Sequence, residues 1–346
     1  MIIEGRKIGD GAPCYIVAEM SANHNQDLNR ALKIIRAAKE AGADAIKLQT
    51  YTPDTLTLDC DNKYFRLDDH PLWGGTLYDL YKKAYTPWEW HKPLKKEADK
   101  LDITFFSTPF DETAVDFLED LGVGIYKIAS FELTDFPLLK RVAQTRKPVV
   151  LSTGMATLPE IKQAVSVLRK NGMKDIAILK CVSAYPAPAT EMNLRTIPYL
   201  KKIMCVPVGL SDHSLGTTVA VAAVALGANL IEKHLMLSKV DKTPDAAFSI
   251  TPEEFRRMVD DIRIAEGALG RICFERTKNE EKNLKFRRSA FAVKDIGIGE
   301  ELTKENIRII RPGFGLAPVY WPKILGKKAE VAMKRGTPLK MSFIVS

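Results

Sequence analysis

Eight short apolar runs, separated for the most part by helical patterns, occupy the first three quarters of the chain: YIVAE (15–19), AIKLQ (45–49), ITFFS (103–107), IYKIAS (125–130), VVLST (149–153), IAILKC (176–181), VPVGLS (206–211) and LIEKHL (230–235). Runs that are apolar on both alternating faces belong to strands covered on both sides, the habit of parallel sheets. Eight of them alternating with helices over ~250 residues predict an α/β fold, a closed (β/α)8 TIM barrel. The segment from Asp27 to Ala41 shows the helical pattern. Leu28, Ala31, Leu32, Ile35 and Ala38 fall on one face, Arg30, Lys33 and Lys39 lie largely off it, and Gly42 supplies a stop.

Two stretches break the rhythm. Residues 51–91 form a long, aromatic, turn-rich insertion between the second and third runs, and long loops at a barrel mouth usually carry substrate contacts. After Gly270 comes the charged stretch RTKNEEKNLKFRR, and beyond it SAFAVKDIGIGEELTKENIRIIRPGFGLAP, with short strands, Gly and Pro turns and no long helix. The expected organisation is a barrel over 1–270, a linker over 271–288 and a small β-rich domain over 289–346. A domain of that size folds alone only marginally, so it is expected to lean on a neighbour.

Composition narrows the function classes. The N-terminus carries charges and glycines where a secretory signal needs an apolar run, and no segment approaches ~20 uncharged apolar residues. A soluble, cytoplasmic protein without membrane association is expected. The five cysteines, Cys14, Cys60, Cys181, Cys205 and Cys273, are scattered and read as reduced thiols. The formal charge is +8, but the basic residues are interspersed with acids and not interleaved with aromatics, which argues against nucleic acid and leaves an anionic small molecule as a partner.

Polar residues stand at the C-terminal end of almost every predicted strand: Glu19, Lys47 with Gln49, Ser107 with Thr108, Lys127 with Ser130 and Glu132, Ser152 with Thr153, Ser183 with Tyr185, Asp212 with His213, and Glu232 with His234. A barrel brings these positions to one mouth. Lys47 and Lys127 lie inside apolar strands, where an ammonium needs an anion. With the Ser and Thr hydroxyls they describe a phosphate cradle; ion pairing to Glu19 or Glu132 is the competing reading. His213 and His234 end consecutive strands and so suit a shared divalent cation, with Asp212 as a group that orients a histidine from behind. Two imidazoles with substrate and water oxygens favour Mn2+ over zinc. Taken singly, each histidine reads equally as hydrogen-bonded structure. His24 is placed near the mouth or beside a helix start, and His70 and His91 in surface or packing roles.

Together, EMSANHN, AIKLQTY, FFSTPFD, YKIAS with Glu132, LSTGMA, GLSDHSLG and IEKHL resemble the sialic acid synthase family, whose members condense phosphoenolpyruvate with an N-acetylated hexose to a nine-carbon 2-keto-3-deoxy acid. RRSAFAVKDIGIGEELTKENIRIIRPGFG resembles that family's C-terminal antifreeze-like (SAF) domain, and LWGGTLYDLYKKAYTPWEWH resembles its pseudaminic acid synthase branch. The resemblance implies the following roles. His213 and His234 hold the cation, with Mn2+ ahead of Mg2+ or Co2+. Lys47, Thr108, Lys127, Ser130 and Ser152 bind phosphoenolpyruvate, with Ser183 grouped beside them. Glu132 positions or deprotonates the attacking water. Glu19, Gln49, Tyr185 and Asp245 lie on the sugar side, Glu19 also counting with Glu132 as catalytic. Arg311 enters the barrel of a partner in a domain-swapped homodimer. Departures from the family pattern at Met20-Ser21, Ser183 and Ala246-Ala247 fall on the sugar side and argue against N-acetylmannosamine as acceptor. N-acetylneuraminate or legionaminate synthesis, and more distantly a metal-dependent pyruvate aldolase, are the alternatives.

Overall fold

The computed structural model describes residues 1–68 and 72–345; His70 lies outside them. Eight parallel strands close into a barrel: β1 (Tyr15–Glu19), β2 (Ala45–Thr50), β3 (Thr104–Pro109), β4 (Tyr126–Ile128), β5 (Val149–Ser152), β6 (Ile176–Cys181), β7 (Val208–Asp212) and β8 (Leu230–His234), with β8 paired to β1. All eight apolar runs thus carry their strand within a residue or two of the expected limits.

The helix after β1 shows how sequence sets an element. The Asp27 side chain accepts from the backbone N–H groups of Asn29 and Arg30, starting a helix over Leu28–Glu40 that buries Ala31, Ile34, Ile35 and Ala38. Gly42 then turns at φ +88°, a conformation that favours glycine, and a Cβ there would press on Val259 Cγ1 at 3.2 Å. Apolar side chains from the strands' outer faces and the helices make the larger core. Inside the barrel Tyr15, Val17, Ala45, Phe106, Val150, Ala177 and Leu179 pack with Ile3 and Ile8 from the N-terminal segment, so the end remote from the catalytic-type residues is filled with hydrocarbon.

The insertion is ordered into elements. Short helices span Pro53–Leu56 and Leu77–Ala84, and Trp88–Lys100 is the helix leading into β3. His91 is buried there, with Nε2 2.8 Å from Thr50 Oγ1, and His24 is buried with Nε2 3.2 Å from Thr86 Oγ1. Both are packing residues beneath the insertion.

The chain divides into two compact units, Met1–Gly270 and Arg271–Ser346. The second unit has its own core around Ala290, Leu302, Ile307, Ile324 and Leu339. Its only regular sheet among the described residues pairs Ser289–Ala292 with Ile307–Ile310; further pairing is through isolated bridges such as Ile296 with Met333 and Ala329 with Ile344. The β pairing of this unit is thus distributed over short strands and single bridges. Frequent Gly and Pro allow paired residues but interrupt continuous ladders.

Candidate active site

A cavity of about 480 Å³ opens where the strands end. Strand register brings its wall together. His234, Glu19 and Lys47 stand level across β8, β1 and β2. Gln49 stands level with Thr108, and Ser211 with both Cys181 and Glu232.

The two strand lysines are buried and paired. Lys47 Nζ lies 2.5 Å from Glu19 Oε2 and 3.8 Å from Glu232 Oε2, and also donates to Thr108 Oγ1 at 3.2 Å. Lys127 Nζ donates to Ser152 Oγ at 2.6 Å and to Ile128 O at 3.0 Å, with Glu232 Oε1 at 3.9 Å. Phosphate-type cradle and ion pair are therefore compatible, and the partner of Lys127 is Glu232, not Glu132. Burial, opposed by Lys47, holds the Glu19 carboxyl up at about 7. Glu232 is held below the usual range because, against burial, Lys127 and Lys47 both face it.

A hydroxyl cluster adjoins Lys127. Gly154 N–H donates to Ser130 Oγ at 2.9 Å, and a Cβ on Gly154 would stand 2.1 Å from Ser183 Oγ and 2.8 Å from Ser130 Oγ. Only glycine lets these two hydroxyls meet over the β5 turn. Ser183 Oγ and Glu132 Oε2 are buried without a hydrogen-bond partner, which a polar ligand in this cavity would provide. Burial raises the Glu132 carboxyl to about 7.

His213 and His234 face each other with ring centroids 5.4 Å apart. His213 Nδ1 lies 3.0 Å from the Val182 carbonyl, which can only accept, so Nδ1 carries the proton and Nε2 keeps its lone pair. His234 Nδ1 is buried and without a hydrogen-bond partner. Burial, followed by the neighbouring His213 and Lys47, keeps His234 neutral. Against burial, the nearby Cys181 and the Val182 carbonyl raise the His213 imidazole above its usual range, so it is His234 that is held neutral; with His213 deprotonated, the two rings would offer lone pairs that fit a divalent cation. Among the described residues no group of three His, Cys, Asp or Glu could hold one, so its other ligands would be substrate and water oxygens.

On the remaining side Gln49, Tyr185 and Asp245 border the cavity together with Ser21 and Ala22. Ala22 N–H donates to Asp245 Oδ2 at 3.2 Å, and the Tyr185 ring lies 4.6 Å from that of His213. The insertion contributes Tyr51, Leu56, Leu67, Trp73, Leu77 and Tyr81 to an apolar wall.

The barrel thus gathers Lys47, Gln49, Thr108, Lys127, Ser130, Glu132, Ser152, Ser183, Tyr185, His213, His234 and Asp245, with Glu19 buried behind Lys47. Arg311 belongs to the second unit and is exposed. Three strand-end residues point elsewhere. Ser107 bonds Thr50, Thr153 bonds the Leu179 carbonyl, and Asp212 accepts from Ser214 and Lys233 rather than from a histidine ring. Strand alternation sends Asp212 to the face opposite Ser211. Three site residues escaped the sequence reading. Gly154 carries no role that LSTGMA alone reveals, Cys181 reads in sequence as an isolated thiol although its Sγ lies 3.7 Å from His213 Nδ1, and Phe248 stacks edge-on to His234 at 4.8 Å. The step from Ser152 to the turn that follows was the one available signal for Gly154.

Comparison with known proteins places this arrangement. Residues 34–273 match the NeuB family and residues 287–345 the SAF domain. The pseudaminic acid synthase of Helicobacter pylori is 47% identical over 332 residues, covering 94% of this chain and 96% of that protein. The N,N'-diacetyllegionaminic acid synthase of Campylobacter jejuni is 40% identical, covering 91% and 95%. The crystal structure of N-acetylneuraminic acid synthetase from Leptospira borgpetersenii in complex with citrate superposes with a TM-score of 0.73 at 34% identity, covering 83% of this chain and 95% of that one. With a barrel of this kind, a C-terminal SAF domain and relatives matched over nearly their full length, the chain belongs to the NeuB family of sialic acid synthase-type enzymes.

Proposed function

We propose that the chain is a pseudaminic acid synthase, condensing phosphoenolpyruvate with a 2,4-diacetamido-2,4,6-trideoxyhexose of the L-altrose type and releasing phosphate. The observation that carries the chemistry is one cavity with two buried lysines and hydroxyls on one side and two facing imidazoles on the other. The acceptor class rests on the 47% identity to the H. pylori enzyme against 40% to the legionaminic acid synthase at similar coverage. No helix among the described residues is long and apolar enough to cross a membrane.

In this reading Lys47 and Lys127 meet the negative charge of phosphoenolpyruvate, while Thr108, Ser130, Ser152 and Ser183 orient it. C3 of the enol attacks the acceptor's aldehyde carbon, water adds at C2, and C2–O cleavage releases phosphate, so that one aldehyde, one enol phosphate and one water become one keto acid and one phosphate. Glu132 takes the proton of the attacking water. Gln49, Tyr185 and Asp245 position the acceptor, with Glu19 fixing Lys47. His213 and His234 would hold a divalent cation, Mn2+ or else Mg2+ or Co2+, whose Lewis acidity polarises a carbonyl oxygen.

Incubation with phosphoenolpyruvate and, separately, the altrose-type, legionaminate-type and N-acetylmannosamine acceptors tests the reading. Phosphate release and a product of the expected mass with the first acceptor support it. Preference for another acceptor moves the assignment within the family, and product formed only when pyruvate replaces phosphoenolpyruvate, with no phosphate released, replaces it with an aldolase.

Glu132 predicts a pH dependence. With its carboxyl at about 7, kcat/KM rises with pH through that region, and Glu132→Gln removes the limb and lowers kcat by about 10²-fold or more. The ordinary value is 4.5, so the folded state holds this proton more tightly than the unfolded chain, and the residue's contribution to stability falls as pH rises from 4.5 to about 7.

Arg311 is assigned to the acceptor site of a partner subunit in a domain-swapped dimer. Arg311→Ala and His213→Ala proteins should each be strongly impaired, yet after subunit exchange regain about a quarter of full activity, because half the chains pair unlike and one site in each such pair is complete. Exchange without recovery overturns the assignment.

A further inference from the structure

Behind the two histidines lies a buried ion pair that takes no part in the cavity. On β7 and β8 the side chains alternate in step. Ser211 and Glu232, level with each other, face the cavity and bond at 3.0 Å, and the next level, Asp212 with Lys233, faces the opposite way with both side chains fully buried. Lys233 Nζ lies 2.8 Å from Asp212 Oδ2 and also donates to the Ser214 carbonyl. The other Asp212 oxygen accepts the Ser214 N–H at 2.9 Å and its hydroxyl at 2.6 Å.

Both residues flanking His213 are therefore tied to one ammonium, and that ammonium belongs to the residue preceding His234. The tie matters because β7 ends at Asp212. His213 is beyond the barrel ladder, and its backbone course depends on bonds such as those made by Ser214 and the 3.0 Å bond from Ala187 N–H to the His213 carbonyl. A buried ion pair is a poor source of stability, since an apolar pair of similar volume commonly does as well or better. What an apolar pair cannot do is hold the Ser214 N–H, hydroxyl and carbonyl at fixed points.

We propose that Asp212 and Lys233 are positioning residues that set the spacing and orientation of His213 and His234 for a shared divalent cation. This rests on the cation reading of those histidines given above. The pair touches neither the lysines nor the hydroxyls assigned to phosphoenolpyruvate, so it acts on one half of the site only.

The test uses the full-length, metal-stripped protein, titrated calorimetrically with Mn2+ and, separately and without metal, with phosphoenolpyruvate. The double variant Asp212→Leu/Lys233→Met leaves no unpaired buried charge; its thermal transition falls, because the Ser214 N–H, hydroxyl and carbonyl lose their partners, but the protein folds. The Mn2+ Kd rises by about 10- to 100-fold, the range for residues that support metal ligands, while the phosphoenolpyruvate Kd is unchanged. Ser214→Ala, which deletes only the hydroxyl bond to Asp212, weakens Mn2+ in the same direction by a smaller factor and decides the matter should the double variant not fold. A folded variant with the parent's Mn2+ affinity, or one that loses both ligands equally, overturns the proposal. A parent that binds no Mn2+ overturns the cation reading itself, and this proposal with it.

Discussion

His213→Ala and His234→Ala each abolish turnover, by about 10³-fold or more, while the protein remains folded. The size follows from what is removed. Polarising a carbonyl by a bound cation is worth several kcal/mol in the transition state, and each 1.4 kcal/mol or so is a factor of ten in rate. The fold survives because both rings border an open cavity rather than filling the core, so their loss costs stability of only about 1 kcal/mol. Chelation should reproduce the loss in the unaltered enzyme, and Mn2+ should restore it. Steady-state rates with circular dichroism on the same samples check both halves of the statement. Full activity in metal-stripped enzyme would sink the cation assignment and leave the histidines as shaping residues, His213 through its 3.0 Å bond to Val182.

The barrel was legible because its chemistry is redundant. Strands such as Val149–Ser152 are buried at every residue, and such runs stand out whatever their partners. The polar residues at strand ends were equally visible, but which of two consecutive ones faces the mouth depends on the pleat. Thr108 and Ser152 face it, whereas Ser107 and Thr153, one residue away, bond outward. Composition carries no signal of that phase. Gly154 and Cys181 were missed for a related reason, since their importance lies in what comes near them in space: Ser130 and Ser183 in one case, His213 in the other. The insertion's apolar wall could be placed at the mouth from its position after β2. The contacts of its Trp73, with Nε1 3.1 Å from the Pro244 carbonyl, join segments far apart in sequence.

Lys127→Met is expected to raise the KM for phosphoenolpyruvate by at least about 10²-fold and to lower kcat as well, the second large effect. Lys127 does three things from one buried atom. It orients Ser152 at 2.6 Å, holds the Ile128 carbonyl at 3.0 Å and faces Glu232 at 3.9 Å. Methionine fills a similar volume but leaves the Ser152 hydroxyl undirected and Glu232 with one ammonium in place of two, that of Lys47 at 3.8 Å, beside its bond from Ser211. A charge-assisted bond to an ionised substrate group is worth ~1.5–3 kcal/mol, about 10- to 150-fold in affinity, and the undirected hydroxyl adds to it. The Glu232 carboxyl, released from one of the two ammoniums that hold it low, should titrate at higher pH, so the variant's residual activity should show an additional pH dependence that the parent lacks. Lys127→Arg should not rescue the loss, because a rigid planar guanidinium does not set one donor atom on both Ser152 and Ile128 as the ammonium does. Isothermal titration with phosphoenolpyruvate separates binding from catalysis. An unchanged Kd in a folded Lys127→Met protein would mean that Lys127 serves only to pair Glu232, and the lysine cradle would reduce to Lys47.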